Sequence, residues 1–280
     1  MKKIGILYNP VIETAYALAK DLEKFLSAKG VSTWLCSAWE TENARAQVNG
    51  TDFLLSVGGD GTILRAVHAA IPDHTPVTGI NLGKLGFMTE ISAGEAEAKL
   101  NALLAGEGWI DERAMIEAEL ASSEQGNRAL PAFHALNDVV VSRGLVTKVV
   151  YVEASINGEV LTTYKADGVI VATATGSTGY SLAAGGPILH PQAKDLILLP
   201  ILPHLSSSYC LVLPPSATVK LRINAVHQAT LSIDGHISLP VNNGDTVTVK
   251  LSSATARFLR IHPNTFYGSL ERKLKGKVLG

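Results

Sequence analysis

Apolar positions in the first hundred residues fall into two alternating patterns. Short continuous runs at residues 3–8, 31–36, 52–57 and 76–80 predict buried strands. Between them, Leu18, Leu22, Phe25 and Leu26 recur at helical spacing until Gly30, and Ile63, Leu64, Val67 and Ile71 do so until Pro72. Ala96, Leu100, Leu103 and Leu104 mark a further helix. Strands alternating with helices over short links predict right-handed crossovers and a parallel sheet.

After Gly108 the period changes to two. Val219, Leu221 and Ile223 alternate with Lys220 and Arg222; Leu231 and Ile233 with Thr230 and Ser232; Val247, Val249 and Leu251 with Thr248 and Lys250. Asn157-Gly158, Asp234-Gly235 and Asn243-Gly244-Asp245 separate such runs as hairpin turns, which predicts an antiparallel β domain. Residues 264–275 regain helical character and are expected to return to the first domain. The expected division is an α/β domain over 1–105, completed by 263–280, and a β-rich, sandwich-like domain over 106–262.

Composition narrows the function little. Among 280 residues the formal net charge is −1, so no basic field points to nucleic acid or a membrane surface. Cys36 and Cys210 are the only cysteines, which rules out a disulfide framework and a four-thiolate zinc site. Neither the opening MKKIGILYNP nor the run at 196–202, broken by Pro200, has the length of a leader's apolar segment or a membrane span, and a soluble cytoplasmic protein is expected. The 196–202 run is more apolar than one strand requires. Together with the low charge of the β-rich half, it suggests a homo-oligomer, a dimer or a tetramer.

The densest chemistry lies in SVGGDGTILRA at 56–66. Gly58-Gly59-Asp60-Gly61 sits where the third strand becomes a helix, the carboxyl-end crevice in which α/β sheets bind ligands. Glycines admit a ligand close to the backbone, and N–H groups at the helix start suit an anion such as phosphate. A carboxylate there repels phosphate unless it takes a proton from an attacking hydroxyl or helps hold a metal, which points to phosphoryl transfer. The plainer alternative makes Asp60 an N-cap, in which case asparagine would replace it at little cost. No G-x-x-x-x-G-K-[ST] loop, GxGxxG turn, protein-kinase signature or H-E-x-x-H motif occurs. Residues 79–84 approach the first of these but are one residue short, with Leu85 in the hydroxyl position.

Two further segments stand out. In KADGVIVATATGSTGYSLAAGGPILHP at 165–191, a short buried strand runs into Thr175-Gly176-Ser177-Thr178-Gly179-Tyr180-Ser181, a hydroxyl-rich turn suited to ribose, diphosphate or amide contacts, or simply to capping a helix. Asp167 precedes that strand as a ligand or a turn residue. In LNDVVVSRG at 136–144, Asn137-Asp138 precedes a β-branched run.

Together with GINLGKLGFMTE at 79–90, these segments resemble the NAD kinase family over nearly the whole chain. The Gly-Gly-Asp turn alone is shared with diacylglycerol and sphingosine kinases and phosphofructokinases, but the lipid kinases lack the Thr-Gly-Ser-Thr-Gly-Tyr turn. The resemblance implies an active site between two domains. It also implies phosphorylation of the adenosine 2′-hydroxyl of NAD by ATP or polyphosphate with a divalent metal such as Mg²⁺. It makes Asp60 the general base, with Gly61 beside the dinucleotide. Asn137 and Asp138 would hold NAD, and Asp167, Thr175, Thr178, Gly179, Tyr180, Ser181, Leu182 and Ala183 would line its pockets. Lys148 and Lys165 match positions that are often basic. Arg65, on the helix after the turn, is a phosphate contact or part of a solvated face.

The chain departs from the family pattern in places. Ala174 replaces a common proline, Tyr209-Cys210 replaces an Arg-Pro, and His236 stands where glutamine is common and is a weaker candidate. His204 keeps its place. A lipid or sugar kinase and a non-catalytic dinucleotide sensor are the competing readings; the second and third motifs disfavour the former and an intact Asp60 the latter.

Overall fold

The computed structural model describes residues 2–83, 86–123, 128–145, 147–204, 209–224, 227–263 and 266–278. The chain divides into two compact units, Met1–Glu112 with Ala256–Gly280, and Arg113–Thr255.

In the first unit β1 (Lys3–Tyr8), α1 (Glu13–Ala28), β2 (Ser32–Ser37), α2 (Thr41–Val48), β3 (Phe53–Val57), α3 (Asp60–Ala70), β4 (Val77–Asn81), β5 (Ile91–Ser92) and α4 (Ala96–Leu104) follow in order. The strands pair in parallel in the order β4-β3-β1-β2. The buried residues of α1, Ala15, Ala19, Leu22 and Leu26, lie along one stripe and join Ile4, Ile6, Leu55, Val57 and Ile80 in the core. The alternating pattern of the first hundred residues thus forms the expected parallel sheet. Helix α2 is an addition to that expectation: a parallel β2–β3 passage requires a crossover, although only Ala44 and Val48 of α2 are buried.

The second unit draws on β6 (Trp109–Ser122), β7 (Arg128–Ala129), β8 (Phe133–Ala135), β9 (Asp138–Arg143), β10 (Val150–Ile156), β11 (Glu159–Ala166), β12 (Gly168–Ala172), α5 (Tyr180–Ala183), β13 (Leu196–Ile201), β14 (Leu211–Leu213), β15 (Thr218–Ile223), β16 (Ala229–Ile233), β17 (Ile237–Val241) and β18 (Thr246–Arg260). One antiparallel sheet has the order β14-β13-β12-β9-β16-β17; another antiparallel run is β11-β10-β15-β18. Val139, Val141, Val169, Val171, Leu196 and Leu198 point into one core, shared with Val152, Val219 and Val249. Val140, Ile170, Ala172, Ile197, Leu199 and Ile201 form a second core on the other face of the same strands. Burial on both faces explains why β9, β12 and β13 read as continuous apolar runs. The apolar character of 196–202 is therefore taken up inside the sheet, and Leu202 alone of that run is left out, 71% exposed. The last strand, β18, ends in the first unit, where Phe258 pairs in parallel with Val77, and the final helix α6 (Phe266–Val278) belongs to that unit.

Candidate active site

In the first unit β1 lies between β2 and β3, so crossovers leave in opposite directions from the gap between β1 and β3. The loops after these two strands meet at that switch point. Asn9 donates its backbone N–H to Val57 O (3.0 Å) and its side-chain amide to Thr62 Oγ1 (3.4 Å). Gly58 is obligatory there, because a Cβ would stand 2.3 Å from Thr62 Oγ1. At Gly59 and Gly61 an added Cβ would meet nothing within 4 Å. Those two glycines keep a surface clear.

Asp60 is the first residue of α3, and the N-cap is Gly59, without a side-chain capping bond. The capping alternative is therefore corrected. The Asp60 carboxylate turns away from its own helix to the segment after β4, where Oδ2 accepts Phe87 N–H (2.9 Å) and Oδ1 accepts Met88 N–H (3.1 Å) and Thr89 N–H (3.3 Å). Gly86 makes the approach feasible, since its Cβ would fall 2.1 Å from Oδ1. A carboxylate offers about four lone-pair sites, so one on Oδ2 is left for another donor. An asparagine would turn an NH₂ toward one of these N–H groups, so the expectation of a cost-free replacement is also revised. Lys84 and Leu85 of the 79–90 motif lie outside the described residues.

Arg65 lies about 140° round α3 from Asp60. Its guanidinium stacks 4.4 Å from the Trp39 ring centroid, and burial lowers its pKa. It is thus neither a freely solvated side chain nor a neighbour of Asp60 on the helix surface.

In the second unit the antiparallel pairing of β9 with β12 sets Asp138 opposite Ala172, and Thr173 N–H continues to Asn137 O at 2.9 Å. Thr173 Oγ1 donates to Leu136 O (2.5 Å) and accepts Gly176 N–H (3.0 Å). Gly176 lies against Asn137, leaving only 2.0 Å between a hypothetical Cβ and Asn137 O. A Cβ at Gly179 would stand 3.6 Å from Asn137 Nδ2 and 3.8 Å from Asp138 Oδ2. The two motifs are thus one place. Some of its hydroxyls are structural: Ser177 Oγ donates to Ala174 O (2.6 Å) and accepts Leu189 N–H (3.0 Å), and Thr178 Oγ1 donates to Thr175 O (3.3 Å). Others are not. Asn137 Oδ1, Thr175 Oγ1 and Ser181 Oγ are buried without a hydrogen-bond partner. Tyr180 and Ala183 are exposed and Leu182 is half-buried.

Asp234, which reads in the sequence only as a hairpin residue, is central to this place. From a positive φ of 49° its Oδ2 accepts Leu136 N–H (2.8 Å), while Oδ1 accepts Asn137 N–H (2.7 Å) and Asp138 N–H (3.1 Å). Burial, and then the negative charge of Asp234, push the Asp138 carboxyl up to about 7. His236 places Nδ1 3.2 Å from Asp234 O.

Asp167, Lys165 and Lys148 are elsewhere. Asp167 precedes β12 at the end opposite Asp138, the five residues of the strand spanning about 17 Å. It forms an ion pair with Arg143 Nη2 (2.9 Å), a partner that sequence reasoning overlooked. Lys165 lies 6.0 Å from the Tyr151 ring centroid and Lys148 is exposed on a turn. His204 donates its backbone N–H to Lys165 O (2.7 Å). Among the described residues no three His, Cys, Asp or Glu side chains gather as a metal cage, and no helix is long and apolar enough to cross a membrane.

Comparison with known proteins covers both units. Residues 12–108 match the ATP-NAD kinase N-terminal domain and residues 136–261 the ATP-NAD kinase C-terminal domain. An NAD kinase of Dehalococcoides mccartyi (strain CBDB1) is 49% identical over 276 residues, 98% of this chain and 96% of its own length. One from Chloroflexus aurantiacus (strain J-10-fl) is 38% identical, over 98% and 99% respectively. Among solved structures, an NAD kinase from Archaeoglobus fulgidus in complex with ATP superimposes with a TM-score of 0.77 at 26% identity, covering 99% of each chain. Yeast NADH kinase complexed with NADH shares the fold, with a TM-score of 0.86 at 24% identity over 99% of this chain and 88% of that one. With both domains matched in order and close relatives aligned almost end to end, the chain belongs to the NAD kinase family.

Proposed function

We propose that this protein transfers the terminal phosphoryl group of ATP to the adenosine 2′-hydroxyl of NAD, giving NADP, with Asp60 as the general base. The observation that carries the proposal is the set of unpartnered buried polar atoms, Asn137 Oδ1, Thr175 Oγ1 and Ser181 Oγ, beside Asp138. Leaving such an atom unpaired costs about 1–3 kcal/mol, a deficit that a ligand rich in hydroxyl and amide groups removes. The side chains of Asn137 and Asp138, on a backbone fixed by Asp234, would hold the nucleoside. Lys148, Lys165 and Asp167, at the far end of β12, would meet a more distant part of the ligand. His236 is the weakest of these assignments.

At the Gly58–Gly61 turn, the cleared surface beside Gly59 and Gly61 admits the reacting groups to Asp60. The lone-pair site left on Oδ2 is where the hydroxyl proton would arrive, while the three N–H bonds hold the carboxylate plane fixed. Mg²⁺ is commonly held by nucleotide phosphates and water with few protein ligands, so a cation brought in with ATP would arrive on its phosphates. Because the one open site on Asp60 is reserved for the hydroxyl, the ATP phosphates and water would hold the cation, which would supply charge neutralisation there.

Incubation of purified protein with NAD, ATP and Mg²⁺, followed by enzymatic detection of NADP, tests the reading. NADP formation is expected, with polyphosphate and NADH tried as alternative donor and acceptor. Phosphorylation of diacylglycerol or fructose 6-phosphate without NADP would overturn it. A cytoplasmic homo-oligomer accompanies this reading, and a concentration-independent monomer mass in sedimentation would count against the assembly.

A further inference from the structure

We infer that Arg260 is a positioning residue for the Asp60 carboxylate, acting through the peptide group between Met88 and Thr89. The inference rests on the reading of Asp60 as the base. The Met88 carbonyl accepts Arg260 Nη1 at 2.7 Å, and the N–H of that same peptide group, on Thr89, donates to Asp60 Oδ1 at 3.3 Å. A peptide unit is planar, so fixing its oxygen fixes the direction of its N–H. The cation at the carbonyl end also polarises the group and strengthens the bond at the other end.

Arg260 is held firmly enough to serve as an anchor. It is buried, with Nη1 also 3.1 Å from Glu90 Oε2, Nε 3.3 Å from Asp111 Oδ2, and its guanidinium 4.7 Å from the Phe258 ring centroid. Glu90 completes the clasp by accepting the N–H groups of Ile261 (2.9 Å) and His262 (2.8 Å). A planar fork is needed to reach a carbonyl and two carboxylates at once, and a lysine has a single point of attachment. Lys273 Nζ, 3.5 Å from Phe87 O, supports the preceding peptide in the same manner but more weakly. Nothing in the spacing of the sequence connects Arg260 with Asp60, 200 positions apart.

The test compares Arg260→Ala, Asp60→Asn and the double variant in the NAD phosphorylation assay. Because a displacement of about 1 Å at a reacting group lowers turnover by roughly 100-fold, Arg260→Ala should lose at least about tenfold in kcat. Its KM values for NAD and ATP should stay within about twofold of the parent. If Arg260 acts through Asp60, the double variant is no slower than Asp60→Asn alone. Guanidinium ion at tens of millimolar should restore part of the Arg260→Ala rate, and neither urea nor the Asp60→Asn background should show that rescue. Should Arg260→Ala not fold, Arg260→Lys carries the test, with an intermediate kcat and unchanged KM expected. An unchanged kcat in the folded variant, losses that multiply with Asp60→Asn, or the absence of guanidinium rescue overturns the inference while leaving Asp60 in place. Full turnover in Asp60→Asn instead overturns the reading of Asp60, and this inference with it.

Discussion

Each unit contains an aspartate that gathers three consecutive backbone N–H groups, with the same division between its oxygens. Asp60 takes the first, from Phe87, on Oδ2 and the next two, from Met88 and Thr89, on Oδ1. Asp234 takes Leu136 on Oδ2, then Asn137 and Asp138 on Oδ1. Their surroundings differ. Asp60 opens a helix after a glycine turn, is half-buried, and adjoins cleared surface. Asp234 is buried in the β16–β17 hairpin at positive φ, beside a second carboxyl. In the proposed reading the same coordination serves chemistry at Asp60 and backbone positioning at Asp234, and the access that the cleared surface gives to Asp60 makes the difference.

Substituting asparagine at both sites breaks the comparison most directly. Asp60→Asn should lower turnover by roughly 10²–10⁴, the range of general-base assistance. Its unfolding midpoint should fall modestly and NAD binding should largely persist. Turnover near the parent value, or turnover restored by added Mg²⁺, would remove Asp60 as the base. Asp234→Asn should show the opposite balance. Its stability loss should lie at the upper end of about 1–3 kcal/mol because the deprived donors are buried, and KM for NAD should rise more than kcat falls. Urea denaturation and steady-state kinetics on the same preparations resolve the two.

A third substitution sharpens the contrast through pH. Asp138 titrates near 7 in the folded protein and near 3.9 when unfolded. Between those values the folded state holds a proton that the unfolded chain has released. Its favourable contribution is complete below the unfolded pKa and disappears as pH rises through about 7. Asp138→Asn should therefore flatten the decline in stability between about pH 4 and 7 and be more stable than the parent at pH 8. Parallel declines in denaturation midpoint would contradict the assignment. The smallest effect is expected at Gly61→Ala. An unobstructed Cβ in the first turn of a helix should raise stability by about 0.5–1 kcal/mol while raising KM for NAD. An unchanged KM would mean that the cleared surface receives no ligand.

The sequence discloses these two regions unequally. Buried strands such as β3, β12 and β13 are legible because two covered faces demand unbroken apolar runs. Helix α2 is obscure because it buries only Ala44 and Val48. The Gly58–Gly61 turn stands out by composition, but the donors that hold Asp60 lie 27 to 29 residues later and are backbone N–H groups, which any residue supplies. Asp234 is hidden more thoroughly, since Asp-Gly is also the ordinary signature of a tight hairpin. The separation of Asp167 from Asp138 required knowing that the strand between them is fully extended.

The clasp at Arg260 also has a temporal side. The first unit is discontinuous, and residues from 256 onward supply Phe258 beside Val77, the Leu259 carbonyl that accepts Thr78 Oγ1 at 2.8 Å, and Arg260 itself. During synthesis from the N-terminus, residues 113–255 can complete their own contacts before the unit that begins the chain receives its last strand. The segment around Asp60 is then finished only when the end of β18 has left the ribosome. Nascent chains and fragments ending before that point carry the glycine turn without the Arg260 brace on the peptide group that donates to its carboxylate. In the proposed reading, phosphoryl transfer is in this sense a property that the polypeptide acquires only once Arg260 has been synthesised.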